Sequence, residues 1–401
     1  MTSSTIRTSR ALTNSYDVAV IGAGPAGVAA AAAAGNAASV VLIESTKRFG
    51  GSVTAAMHRC MCGLYCQAPQ NVLDTLNDSA QRRIVQKMSL KDPASVRPRQ
   101  FGKAWVLEFP AQAWESSLLE LCTEAKVDLQ MQCRVTALRR EGSRVAAIEV
   151  QNPVSQWIEA KAVIDCTGGG HILRLAGEDT YHPPDESAEA TLGGFAFRLA
   201  GLGGDLEMLR LQIPHCLARA VEKNLLPRIA RFTVFYPGPE DAGGVCKLAV
   251  NPQQLGDGEA EAFARQVFDY LKSEIDAFAS ARIVEMSPRI LPRDGLRLRG
   301  KYVVTEEDIL QARKHGPDAV HAWWPIERWK VSEGPTYVYP PVGDYFDIPP
   351  DALHSAAIDN LFAAGTCLSA TTAAAASVRA SGICLATGDA AGRLAASCAL
   401  V

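Results

Sequence analysis

The 401-residue chain has no run of about 20 apolar residues, so nothing in it reads as a bilayer span. It also lacks an excess of either charge. Its 40 basic and 43 acidic residues leave a net charge of −3, which argues against a nucleic-acid partner or a membrane surface. No internal repeat is visible. No second Cys-x-x-Cys or His-x-x-x-His pair accompanies the cysteines, so no metal site is expected. Residues 1–15 are polar and carry no apolar core, so no secretory signal is read there. The eleven cysteines are too sparse for a small disulfide scaffold and odd in number. Free thiols in a reducing cytoplasm are therefore expected.

What is present is a sizeable apolar fraction, 48%, with 21% charged residues, enough for a large core. Tyr16-Asp17-Val18-Ala19-Val20-Ile21 reads as a buried strand. Gly22-Ala23-Gly24-Pro25-Ala26-Gly27 follows, then an alanine-rich helix, then the strand Val40-Val41-Leu42-Ile43 ending in Glu44. In this order each glycine has a task. Gly22 allows the tight turn, Gly24 lets the backbone approach a pyrophosphate, and Gly27 lets helix and strand pack closely. The helix N-terminus offers unpaired N–H groups and the positive end of its dipole. Glu44 is placed to accept hydrogen bonds from ribose hydroxyls and disfavours a 2′-phosphate. This is a dinucleotide site. As the chain has one such strand-borne loop, no separate nicotinamide site is expected.

Lys47-Arg48-Phe49-Gly50-Gly51 follows the acid, and the strand-turn Lys161 to Gly169 comes after a β-rich stretch at 129–160. Near the end stand the strand Asn360 to Gly365 and a helix read over Ser377 to Gly392. Together these resemble the FAD-dependent oxidoreductases of the glutathione-reductase-like flavoprotein superfamily, over nearly the whole chain. The resemblance implies an α/β fold: a Rossmann-like FAD-binding domain, with a parallel sheet plus β-meander, and an inserted α+β substrate domain. It implies FAD as cofactor, with contacts at Gly22, Gly24, Pro25, Ala26, Gly27, Glu44, Ser45, Arg48, Gly50, Gly51, Ser52, Val135, Thr167, Gly168, Gly365 and Ser377. The FAD domain is read as 11–52, 102–190 and 341–401, and the substrate domain as 53–101 and 191–340. The family usually has an acid soon after the Thr-Gly turn, where this chain reads Gly168-Gly169-Gly170-His171.

In that superfamily the segment after the Gly-Gly pair runs beside the flavin ring. Here it places His58, Arg59, Cys60, Cys62, Tyr65 and Cys66 within nine residues. His58 titrates near neutrality and suits a proton acceptor. Arg59 suits a substrate carboxylate. The thiols read either as apolar fillers or, with Cys62 as a candidate catalytic thiol, as a disulfide relay. Arg379 is read as a site residue or a structural ion-pair partner. Helix starts are expected near Thr371 and 257, the latter helix running to 280. Trp323 and Trp324, read on a strand, are not expected to be buried together. The expected activity is hydride transfer between flavin and a small organic substrate. Alternatives are a flavin monooxygenase or halogenase, whose Gly-Asp-Ala-Ala-type motif follows the last long strand whereas Gly388-Asp389-Ala390-Ala391-Gly392 comes later, inside the last helix, and a thiol–disulfide flavoenzyme.

Overall fold

β-Branched and alanine-rich runs around one glycine turn make the first unit: β1 (Ser15–Ile21), α1 (Pro25–Ala34) and β2 (Val40–Glu44). The computed structural model describes residues 12–178, 180–181, 191–238 and 243–401. The expected domain edges at 11 and 190 lie outside the described residues. All ten residues of α1 are buried, so it needs cover on every side. β1 supplies one side, pairing in parallel with β2 from Val18↔Val40.

The chain continues through α2 (Gly51–Ala55), β3 (Cys60–Met61), α3 (Ala80–Lys91), β4 (Arg97–Phe101), β5 (Ala104–Glu108) and α4 (Ala111–Glu124). Then come β6 (Asp128–Met131), β7 (Arg134–Glu141), β8 (Arg144–Asn152) and the long β9 (Val154–Asp165). β9 serves two sheets' worth of pairing. Its first half closes the antiparallel β7–β8–β9 meander, and its second half runs parallel to β1. The sheet order is β6-β2-β1-β9-β8-β7, and one late strand adds to β9.

α5 (His171–Leu175) and β10 (Thr180–Tyr181) lead to a four-stranded antiparallel sheet. It is built from β11 (Gly193–Ala200), β12 (Val234–Gly238), β13 (Gly243–Val250) and β14 (Arg282–Met286), in the order β12-β13-β11-β14. α6 (Leu206–Glu222) and α7 (Asp257–Glu274) cover it, and Phe197, Ile213, Phe235, Val267 and Phe278 form its separate core. α7 ends six residues before the expected 280: Ile275 is extended and a short 3₁₀ turn follows at Asp276–Phe278.

The rest comprises β15 (Arg297–Leu298), α8 (Glu306–Leu310), β16 (Val320–Ala322), β17 (Ile326–Lys330), β18 (Gly334–Val338), β19 (Phe346–Ile348), β20 (Leu361–Ala363), α9 (Thr372–Val378) and α10 (Ser381–Leu400). β20 is the strand that adds to β9, in parallel.

Packing redraws the expected division. Ala80, Ile84, Val85 and Met88, one face of α3, lie in the core around α1, as do Val304, Ile309, Trp323 and Phe346. Segments 80–88, 304–326 and 346–348 therefore side with the nucleotide unit, Trp329 packs instead on Leu192 and Ala249, and the core of the four-stranded sheet is drawn from residues between 195 and 290. The helix expected over Ser377 to Gly392 is two helices. Ala380 is extended at ψ 139° because the Arg379 guanidinium bonds the carbonyls of Arg293 and Glu327 on other segments. Trp323 and Trp324 are both buried. They sit beyond the end of β16, where strand alternation does not apply, and their indole N–H groups donate to Pro341 O and Glu327 Oε2.

Candidate active site

Four glycine turns converge at the carboxyl ends of β1, β2, β9 and β20, where the strand neighbours of β1 lead in opposite directions. Gly22 has φ 101°, and a Cβ on it would stand 2.4 Å from the Cys166 carbonyl oxygen. A Cβ on Gly27 would stand 1.7 Å from Gly22 O, and one on Gly51 2.6 Å from Gly24 Cα. Gly24 itself is open: its Cβ would meet only Gly51 Cα, at 3.7 Å. No side chain caps the α1 N-terminus, whose first residue is Pro25. Glu44 is held by main-chain donors, Ala23 N–H at 2.9 Å on Oε2 and Thr46 N–H at 2.8 Å on Oε1. The buried Asp165 carboxylate accepts Thr167 N–H and Oγ1–H and the N–H groups of Ile172 and Leu173. It thereby fixes the turn that carries Gly168. Thr366 Oγ1 donates to Gly168 O across to the Gly365 turn.

A second constellation lies between this region and the four-stranded sheet. Lys247 Nζ, from β13, stands 2.8 Å from His58 Nδ1 and 4.8 Å from the centre of the Tyr236 ring. Burial, then the Lys247 charge, pushes His58 below its ordinary pKa. Burial also brings Lys247 down to about 8, with Arg293 and Arg59 adding to the drop. Its neighbours Cys62, then His58 and the Lys247 charge, hold the Cys60 thiol well below its ordinary value. Cys62 moves the other way, because its proton is engaged by Cys60. The kink before α10 fixes the strip: Cys62 N–H donates to Ser381 Oγ, and Gly382 N–H donates to Cys62 O at 2.8 Å.

Arg293 completes the wall, its guanidinium 4.0 Å from the centre of the Trp329 ring and its pKa lowered to about 10 by burial. Glu327 accepts the indole N–H groups of Trp324 and Trp329. Sequence reasoning missed Lys247. The available signal was a lone lysine in the otherwise apolar strand Gly243–Val250.

The family model for FAD dependent oxidoreductases matches residues 17–400. The chain belongs to this family of FAD-dependent oxidoreductases. Over 177 residues it is 28% identical to digeranylgeranylglycerophospholipid reductase 1 of Methanococcoides burtonii, a match taking in 42% of each chain. Among solved structures, it is similar to a triple mutant of the flavin-dependent brominase Bmp2, with 13% identity and a TM-score of 0.48, over 96% of this chain and 81% of that one. It is also similar to the anhydrotetracycline hydroxylase OxyS of Streptomyces rimosus, with 18% identity and a TM-score of 0.46, over 72% and 54%. The chain thus spans under half of the archaeal reductase and about half of the hydroxylase. Among the described residues, no helix is long and apolar enough to cross a membrane.

FAD fits the first constellation. The α1 N-terminus is uncapped, Gly24 leaves a cradle that a side chain would fill, and an acid stands at the end of β2. Ser45 lies beside Glu44 at 3.4 Å, and Ser52 is exposed on α2. Other residues expected at the cofactor have different engagements in this oxidoreductase. Ser377 is fully buried and donates to Trp324 O at 2.6 Å. Arg48 reaches away to Glu285 of β14, at 2.7 Å, and Arg198 shares that carboxylate. The Val135 side chain is buried, and its carbonyl accepts His171 Nε2–H at 2.8 Å. Arg379 ties three backbone carbonyls together and acts as a strut at the α9–α10 kink. Gly388 and Gly392 pack α10 on α1.

Proposed function

We propose that this oxidoreductase exchanges a hydride with a small organic substrate and that His58 and Lys247 together handle the accompanying proton. FAD would be held by Gly22, Gly24, Pro25, Ala26, Gly27, Glu44, Gly50, Gly51, Thr167, Gly168 and Gly365. Bound there, it supplies the two-electron acceptor or donor. The observation that carries the reading is the 2.8 Å contact between Lys247 Nζ and His58 Nδ1 on the strip that follows Gly50-Gly51. With Lys247 near 8 and His58 below its ordinary range, the pair passes a proton between two nitrogens at physiological pH. Arg59, Lys247 and Arg293 outnumber Glu327 around it, which favours a substrate carrying a carboxylate. The sheet β11–β14 with α6 and α7 would serve as the substrate-side cap. The glutathione-reductase-like layout is supported by the Gly50-Gly51 pair, the β7–β9 meander and the closing strand and helices. Eleven free thiols suit a reducing, cytoplasmic setting.

The test is anaerobic bleaching of the flavin with a panel of alcohols, amines and carboxylic acids. With a substrate found, His58→Ala should slow bleaching by ~10²–10⁴-fold, the usual range for a lost general base. An unchanged rate in that variant would refute the assignment of His58.

A further inference from the structure

Lys247 carries its ammonium on a flexible four-carbon stem, and such a group samples many positions unless a partner restricts it. His58 Nδ1 stands 2.8 Å away, but an imidazole brings no negative charge to hold a cation. The four-stranded sheet supplies a second partner. β12 and β13 are antiparallel, with Tyr236 opposite Val245 and Val234 opposite Lys247. Alternate residues of a strand share a face, so Tyr236 and Lys247 are diagonal neighbours on one face. Lys247 Nζ stands 4.8 Å from the centre of the Tyr236 ring. That face is turned to the His58 strip, for Met57 packs on its Ala196 and Val245. Phe235 and Cys246 belong to the sheet's own core on the other face. β12 is an edge strand, and Arg210 of α6 stands 5.9 Å from the same ring centre, paired with Glu207 at 3.5 Å. The ring is therefore held from α6 as well as from β13.

We propose that Tyr236 is a positioning residue of this site, whose ring holds the Lys247 ammonium beside His58 Nδ1 and favours its charged form. The proposal deepens the proton-pair reading and rests on it for its effect on turnover. An aromatic face attracts a cation through its quadrupole, most strongly where water is excluded. Burial pushes the Tyr236 hydroxyl well above its ordinary value, so the residue offers a neutral ring and no phenolate. Glu327 and Tyr337 face that hydroxyl and act in the same direction. Around Lys247, burial opposes the ammonium, the Cys60 and Cys62 thiols favour it, and Arg293 and Arg59 oppose it. Removing the ring should therefore make Lys247 lose its proton at lower pH.

The experiment reads Lys247 directly and needs no substrate. The FAD-loaded protein is labelled with trace acetic anhydride across a pH series, and acetylation of Lys247 is followed by peptide mass against an added reference amine. In Tyr236→Phe, which keeps the ring, the midpoint should stay within ~0.3 unit of the parent. In Tyr236→Leu it should fall by ~1 unit, a ~10-fold change in the protonation constant. Tyr236→Met should match Tyr236→Leu, and flavin content reports that each variant has folded. An unmoved midpoint in Tyr236→Leu or Tyr236→Met would overturn the proposal. So would an equal fall in Tyr236→Phe, which would assign the effect to the hydroxyl. With a substrate found, the rise of flavin bleaching with pH should move down with the lysine. A midpoint that falls while bleaching keeps its profile would remove Lys247 from the proton pair and leave the ring contact standing.

Discussion

Replacing Gly392 by alanine sets two physical effects against each other. On helix propensity alone, Gly→Ala inside α10 should stabilise by about 1 kcal/mol. The packing says otherwise. A Cβ on Gly392 would stand 2.2 Å from Ala30 O, and that oxygen belongs to a helix with no exposed face to retreat into. It falls about 1 Å short of ordinary contact, and the atom in the way is backbone, so α1 and α10 must separate along their length. Overpacking costs about 1–3 kcal/mol where side chains can adjust, and this case belongs at the upper end. The net expectation is a loss of about 2 kcal/mol. Urea unfolding of the apo protein, followed by far-UV circular dichroism, should show a lower midpoint with an unchanged slope. A Gly392→Ala protein as stable as the parent, or more so, would refute the reasoning. Gly388→Ala adds a second reading, because its Cβ would stand 2.1 Å from Ala26 O in the first turn of α1. That variant should lose more FAD affinity than Gly392→Ala, since it displaces the end of the helix that faces the phosphates. Equal FAD affinities would break that link.

Gly24→Ala should fold normally, as its Cβ meets nothing nearer than 3.7 Å, yet bind FAD weakly because the methyl enters the pyrophosphate cradle; full flavin content would contradict this. Arg297 is 1% exposed and donates to Ala370 O at 3.0 Å and Thr372 Oγ1 at 2.9 Å. Arg297 also pairs with the Asp294 carboxylate, so Arg297→Met should cost about 3 kcal/mol in thermal or urea unfolding, from lost charged hydrogen bonds and a carboxylate left without its arginine. The pH profile of substrate-driven flavin reduction should rise through about 8, as Lys247 loses its proton and becomes able to accept one. Lys247→Met should abolish that limb, and a profile flat from 7 to 9 in the parent would remove Lys247 from the proton pair.

The parts of this molecule that speak locally were readable in advance. Gly22, Gly24, Gly27 and Glu44 lie within one βαβ unit, and every constraint on them acts over a few residues. The site's chemistry was less legible, because its partners come from distant segments. His58 was visible as a candidate, but its partner Lys247 is 189 positions away and meets it only through the fold of the four-stranded sheet. The break at Ala380 is likewise non-local: the alanine-rich sequence favours a continuous helix, and Arg379 is drawn out of it by carbonyls of Arg293 and Glu327. Ser377 and Arg48 look like cofactor contacts by position, yet the Trp324 carbonyl and the Glu285 carboxylate of β14 claim them.

The wrapping of α1 by α10 has a consequence for how the chain is made. α1 leaves the ribosome early, but the helix that buries it is synthesised roughly 350 residues later, a delay of ~20–70 s at ordinary elongation rates. β9 waits similarly for β20. The four-stranded sheet draws its core from a contiguous stretch, so it can be complete while the nucleotide unit is still open. A nascent chain halted near residue 380 therefore carries a finished four-stranded sheet beside an unfinished nucleotide unit, with an alanine-rich apolar helix uncovered. The nucleotide core is complete only once α10 has packed on α1.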